Sequence, residues 1–193
     1  MTGSTVAAIV GGLVCLVLVV LVIWALATYN KLVRQRNQVQ ASWAQIDVQL
    51  KRRVDLIPNL VETVKGYAAH EKGTLEAVIQ ARNTAISAAG SQGPAGRAEA
   101  ENALTQTLGR LFALAEAYPN LKANENFAAL QSELASTEDK IAYARQFYNS
   151  AVQTFNTSIQ TIPTNIIAGV GNFKQMDFFE AAEGERGPVQ VRF

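Results

Sequence analysis

The sequence predicts an all-α protein: an N-terminal transmembrane helix continuing into an elongated antiparallel cytoplasmic helical bundle, with a short C-terminal helix and an extended tail. Three observations carry that prediction. No charged side chain occurs in the first thirty residues. Beyond them, apolar residues recur at three- and four-residue steps through nearly the whole chain, which is the spacing of one helix face. The clearest cluster of breakers, Gly90 to Gly96, falls between two periodic stretches, as a link between helices should. The expected organisation is a short external N-terminus over 1–5, a span over 6–29, a bundle over 30–183 and a tail over 184–193.

The span reads VAAIVGGLVCLVLVVLVIWALATY from Val6 to Tyr29. At 1.5 Å per residue such a helix covers a hydrocarbon core of roughly 30 Å. Trp24 and Tyr29 close the run, where amphipathic rings prefer the headgroup zone. None of the 17 basic residues precedes the span, and Lys31, Arg34 and Arg36 follow at once. That asymmetry puts the N-terminus outside and the large C-terminal part in the cytoplasm. The three cations stand at the height of anionic lipid headgroups, where each contributes ~1 kcal/mol of attraction. Ala25-Leu26-Ala27 has the small-x-small form of a signal-peptide cleavage site. No basic segment precedes the apolar run, however, and the run far exceeds an ordinary h-region, so it is expected to stay as an anchor. Ser4, Ala8 and Gly12 form a small-residue ridge spaced for close helix approach in lipid. Cys15, the sole cysteine, can form no intramolecular disulfide and reads as a small apolar residue of the span.

The rest of the chain, roughly 160 residues, is one domain's worth and enough to bury a core. Its first helix aligns Leu32, Val39, Trp43, Ile46, Leu50, Val54, Ile57, Val61 and Val64 and is expected to prolong the span. Pro58 lies inside it, and the missing N–H and the ring predict a kink or local break near Leu56 to Asn59. Gly66 and Gly73 then loosen the chain. A second helix is expected from Thr74 to about Ala89. A third runs from Arg97 to about Ala117 with Leu104, Leu108, Leu111 and Leu114 aligned, ending before Tyr118-Pro119 because the residue ahead of a proline is pushed out of helical geometry.

The last long helix starts at Asn124 as N-cap and carries Phe127, Leu130, Leu134, Thr137, Ile141, Ala144, Tyr148, Val152, Phe155, Ile159 and Ile162 up to Pro163. At 1.5 Å per residue it is roughly 55–60 Å long and needs neighbours of like length, hence an antiparallel bundle. Gly169-Val170-Gly171 reads as a turn. Asp177 with Glu180 has the form of a capping box for a short helix, and Phe173, Phe178 and Phe179 offer apolar docking groups. The segment from Gly187 to Phe193 reads as an extended tail, strand or coil.

Charge is nearly balanced, 17 basic against 16 acidic side chains, so no global field favours nucleic acid and none is expected as a partner. Lys51-Arg52-Arg53 reads as solvated or ion-paired positions, with Asp47 four residues ahead of Lys51 and Asp55 just beyond. The common phosphate-loop, serine-nucleophile and zinc-protease signatures are missing. His70, the only histidine, has Tyr67 three residues before it, so the Glu-x-x-His of a di-iron bundle fails and it reads as a surface or inter-helix residue. No enzyme activity, cofactor or metal is expected. Asp47, Arg53, Asp55, Asn59, Glu116, Glu138, Arg145 and Asn149 recur on faces expected to be buried or half-buried, where an unpaired charge costs several kcal/mol. They make either a network that fixes helix register or a polar groove for a partner or ligand, and both readings stay open.

Long stretches of these helices resemble a known family. The segment from Ser42 to Val61, SWAQIDVQLKRRVDLIPNLV, followed by Val64-Lys65-Gly66-Tyr67, is similar to the signature of the LemA family of bacterial membrane proteins. The likeness continues through Glu116 to Asn124, through Thr137 to Arg145 and through Tyr148-Asn149, and it covers the chain from the span to about Phe179. Two positions depart from the pattern: Val54 stands where an aromatic is common, and Ile162 precedes Pro163 where phenylalanine is frequent. The resemblance implies an N-out, C-in inner-membrane protein with a cytoplasmic bundle, no catalytic residue to transfer, and a role in membrane organisation by similarity to magnetosome-forming proteins. Two functional classes follow. One is a membrane-anchored scaffold that self-associates and organises or curves the lipid bilayer. The other is an adaptor that binds another membrane or cytoplasmic protein through a groove of the bundle.

Overall fold

The structure, a computed structural model, describes residues 3–91 and 93–180, with the backbone alone at 4–6 and at 91. Among the described residues six helices follow one another: α1 (Gly3–Lys65), α2 (Lys72–Ser91), α3 (Pro94–Ala115), α4 (Pro119–Lys122), α5 (Glu125–Gln160) and α6 (Thr164–Val170). No strand occurs among the described residues. The chain divides into two compact units, Met1–Ala41 with Ala151–Met176 and Ser42–Ser150 with Asp177–Phe193. Both α1 and α5 contribute residues to each.

The second unit holds α2, α3 and α4 with parts of α1 and α5, and the directions of α1, α3 and α5 follow from side-chain pairs. Trp43 packs on Tyr148 while Arg52 pairs with Glu133, so numbers rise along α1 as they fall along α5, and those two helices are antiparallel. Asp47 pairs with Arg97 and Arg53 with Glu101, so α3 runs parallel to α1. Two residues link α2 to α3, which makes them neighbours. The core runs through Ile57, Leu60, Val64, Val78, Leu104, Leu111, Leu121 and Phe127, all under 3% exposed, and each large apolar side chain buried there is worth roughly 1.5–3 kcal/mol.

The sequence pattern and the helices agree closely. Val39, Ile46, Leu50, Val54, Ile57, Val61 and Val64 are buried along α1, and Leu104, Leu108 and Leu111 along α3. Pro58 sits inside α1 without ending it. A proline within a helix removes one N–H donor, and here the flanking core residues Ile57 and Leu60 are wholly buried. Gly93 and Pro94 start α3, with proline in the first turn where its missing N–H costs nothing. The breaker cluster is therefore shorter than its composition suggests: Gly90 ends up in α2 and Gly96 in α3. Asn124 caps α5, its Oδ1 accepting from the Phe127 N–H at 2.9 Å.

In the first unit α1 carries the apolar run. Ile9, Leu13, Leu16, Leu18, Val22 and Ile23 are all more than half exposed. The helix is long and apolar enough to cross a membrane. Gln35 donates to Ser158 Oγ at 3.0 Å, and Phe173 packs edge-on to Tyr29 and Phe155.

Three expectations at the C-terminal end are corrected. The short helix after Pro163 is α6, and residues 173–180 have no regular structure, so Asp177 and Glu180 do not cap a helix. The Asp177 carbonyl is taken instead by the Tyr148 hydroxyl. Gly169 and Val170 belong to α6, and the turn falls on Gly171 and Asn172. Ile162 is 78% exposed, because the stripe along α5 ends at Ile159. The tail expected over 184–193 lies outside the described residues.

Candidate functional site

Among the described residues of the second unit the most buried charge is Arg53 on α1, 1% exposed. It lies on the same stripe as Leu50 and Ile57, where a guanidinium must spend its donors on protein partners or remain a costly buried charge. Its Nη2 donates to Glu101 Oε2 at 2.5 Å and to the Glu101 carbonyl at 3.1 Å. Its Nη1 donates to Thr105 Oγ1 at 3.0 Å and to a Glu138 carboxylate oxygen. Thr105 in turn donates to the Glu101 carbonyl at 3.1 Å. The Glu101 side chain is as buried as that of Arg53, whereas Glu138 is 39% exposed. One side chain therefore ties α1 to α3 and α5, and its donors point inward.

The polar residues picked out in the sequence do not form one cluster. Arg53 and Glu138 meet. Asp47 is exposed and pairs with Arg97 Nη1 at 2.5 Å rather than with Lys51, and the Arg97 guanidinium lies over the Trp43 ring, 5.4 Å from its centroid. Asp55 is exposed at an open cleft of about 440 Å³, shared with Lys51, Arg82, Arg97 and Glu101, while Arg82 Nε donates to the Val54 carbonyl at 3.0 Å. Asn59 and Glu116 are exposed, not half-buried. The carbonyl of Asn59 accepts from Thr63, and Glu116 pairs with Lys122. His70 is exposed in the turn after α1. Sequence reasoning missed Arg97, Glu101 and Thr105. The signal was present: carrying the Leu104, Leu108, Leu111 stripe of α3 back one and two turns lands on Glu101 and Arg97.

Arg145 and Asn149 belong to a third place, the seat of the C-terminal segment. Asn149 Nδ2 donates to the Phe179 carbonyl and its Oδ1 accepts from the Phe179 N–H, both at 3.0 Å. Phe179 itself is fully buried, edge-on to Trp43 at 5.4 Å, with the Arg145 guanidinium 5.2 Å from its ring centroid. Tyr148 donates to the Asp177 carbonyl at 2.8 Å. Burial, with the Asp177 charge adding to it, pushes the Tyr148 hydroxyl up to about 12. At the far turn of the unit Tyr118 donates to Glu71 Oε1 at 3.0 Å, and that bond, then burial, raises the Tyr118 hydroxyl above its ordinary value. Between α1 and α5 an open groove is lined by Val48 and Tyr143, 62% and 76% exposed.

The first unit repeats the backbone clamp: Asn156 Nδ2 donates to the Met176 carbonyl and its Oδ1 accepts from the Met176 N–H, both at 2.9 Å. Lys31 and Arg34 are exposed as a lipid-facing role requires, but Arg36 is half-buried over the Phe173 ring at 5.3 Å. Ala8 and Gly12 are exposed, and nothing lies within 4 Å of a Cβ built on Gly12. The Ser4 side chain lies outside the described residues. No group of three or more His, Cys, Asp or Glu able to hold a metal occurs among the described residues.

Known proteins match this chain along most of its length. The model of the LemA family matches residues 42–193. Magnetosome protein MamQ 2 of Paramagnetospirillum magneticum is 27% identical over 188 residues, covering 85% of this chain and 69% of the relative. Magnetosome protein MamQ of Magnetospirillum gryphiswaldense is 26% identical over 196 residues, covering 89% and 72%. Protein LemA of Metamycoplasma hominis is 27% identical over 162 residues, covering 84% and 73%.

Proposed function

We propose, from the premise that this chain belongs to the LemA family, that it is a non-catalytic scaffold of the bacterial inner membrane whose copies self-associate to organise or curve the bilayer. The N-terminus stands outside and the bundle in the cytoplasm, as the cations after the span favour. The observation that carries this reading is the exposed apolar run of α1, where Leu16 is 65% and Ile23 61% exposed. A surface of that size and composition is covered by lipid or by another span. The inward donors of Arg53 and its two carboxylates support a lock on helix register rather than an open polar groove. Exposed Val48 and Tyr143 supply an apolar surface outside the span on which copies can meet. Relatives named as magnetosome proteins favour a part in membrane organisation.

The test is the mass of the full-length protein in nanodiscs of its native lipids, beside a chain beginning at Lys31. A discrete homo-oligomer that falls apart without the span is expected. A monomer, or a stoichiometric complex with a different protein, overturns the scaffold reading, and the latter outcome would favour an adaptor. Orientation is tested by labelling intact cells at each terminus: modification of the N-terminus alone is expected, and modification of the C-terminus alone refutes it.

A further inference from the structure

The outward chemistry of the first unit changes at one point in the chain. Toward the end of α5 the exposed side chains are Gln153, Thr154, Thr157 and Gln160, all polar. Just beyond, Ile162 is 78%, Ile166 61% and Val170 86% exposed. Ile166 and Val170 stand four residues apart, hence on one face of α6, while Ala168 is buried on the other. No charged residue lies between Arg145 and Lys174. A helix whose inner side is already packed and whose outer side carries branched aliphatic residues has an outer face made for apolar surroundings. Where α6 stops shows what those surroundings are. The Phe173 N–H donates to the Ala168 carbonyl at 2.9 Å, and the Phe173 ring packs edge-on to Tyr29 with centroids 5.5 Å apart. A Cβ on Gly171 would stand 3.1 Å from the same Tyr29 ring. Tyr29 closes the apolar run of α1, the level of the headgroups. Thr28 is buried and Ala25 half-buried, so folded chain already covers part of α1 inside that run. Lys31 and Arg34, and Lys174 shortly after α6, are exposed and supply cations for anionic headgroups.

We infer that α6 is a second membrane contact: its Ile166 and Val170 face, with Ile162 ahead of it, lies in the boundary between headgroups and acyl chains of the bilayer that α1 crosses. The occupant is lipid because Tyr29 holds α6 where lipid already surrounds the span. A single span leaves rotation about its own axis free. A contact off that axis fixes which side of the first unit faces the bilayer. The inference rests on α1 lying in the membrane and stands whether or not copies self-associate.

The experiment uses the full-length chain in nanodiscs of phosphatidylethanolamine and phosphatidylglycerol, with Cys15→Ala as the background. Each variant carries one new thiol: Ile166→Cys, Val170→Cys, Leu18→Cys inside the span, or Gln40→Cys, an exposed position about 16 Å beyond Tyr29 along α1. A charged maleimide reads access from water. The α6 thiols are expected to react about tenfold more slowly than the one at Gln40, since apolar surroundings that raise a thiol pKa by one unit cut its thiolate about tenfold. A dye on the same thiols is expected to be quenched by nitroxide-labelled lipids at a depth of about 5–10 Å, with Leu18→Cys deeper. Rates equal to Gln40→Cys, with quenching by aqueous iodide alone, overturn the inference and leave the anchor standing. Slow reaction without lipid quenching means that protein covers the face, and overturns it as well. If Leu18→Cys is not quenched from lipid, the anchor itself fails and the inference with it. Should Ile166→Cys lose helical content, Val170→Cys decides alone, at the more exposed of the two positions.

Discussion

Replacing Arg53 with methionine removes a charge but keeps an unbranched chain of similar reach, so the cavity term is small and the electrostatic one dominates. Glu101 is left with its side chain 2% exposed and without its guanidinium. Removing one partner of a buried pair costs about 3–5 kcal/mol. In a domain of this size each kcal/mol moves the melting midpoint by about 2–4 °C, so a drop on the order of 6–20 °C is expected. The assay is thermal and urea denaturation of the full-length chain in mild detergent, followed by helical circular dichroism. Arg53→Met with Glu101→Leu closes the cycle: with both charges gone, the double variant is expected to be more stable than Arg53→Met alone. Arg53→Met within about 1 kcal/mol of wild type, or a coupling below ~0.5 kcal/mol, would refute a register lock made of buried charge.

Three further outcomes follow from the geometry. Tyr148 holds its proton to about pH 12 in the folded chain against 10.0 when unfolded, so stability is intact below pH 10 and declines as pH rises from there towards 12. Tyr148→Phe is expected to abolish that decline while costing about 0.5–1.5 kcal/mol at neutral pH for the lost bond to Asp177, both read from urea midpoints across pH. Gly171→Ala would place a Cβ 2.6 Å from the Phe173 ring and 3.1 Å from Tyr29, and overpacking of that kind costs about 1–3 kcal/mol, measurable as a lowered midpoint and altered tyrosine fluorescence. Arginine at Val17 and Val20 together is expected to move the protein from the membrane pellet to the supernatant, since each costs about 2.5–3.5 kcal/mol at the centre of a span; unchanged sedimentation would count against an anchoring role for α1.

Helices and their faces were legible because burial follows a 3.6-residue period that Val39, Ile46, Leu50, Ile57 and Phe155 mark plainly. The Asn124 cap was legible for the same local reason, since its partner lies three residues on. Pairings between helices were not. Asp47 has Lys51 one turn away, yet it takes Arg97 because α3 brings that guanidinium to 2.5 Å. Asp177 and Glu180 satisfy the spacing of a capping box, but α5 offers Tyr148 and Asn149 to the segment's carbonyls and amides, and tertiary partners replace the helix that spacing suggests. The place of Arg53 on an apolar stripe was legible, and the structure buries it; its carboxylate partner Glu101 required extending the leucine pattern of α3 into polar residues.

The paired amides of Asn149 and Asn156 bear on how this chain can vary. Each grips a peptide unit rather than a side chain. Lys174, Gln175 and Asp177 are exposed, and Phe178 is 39% exposed. Substitutions at those four positions leave both grips intact, whereas a change at Asn149 or Asn156 removes a grip whatever the segment's sequence. The outward chemistry of the segment is thus free to diversify while its path stays constant, and selection can rewrite what the surrounding cell meets there without rebuilding the fold beneath.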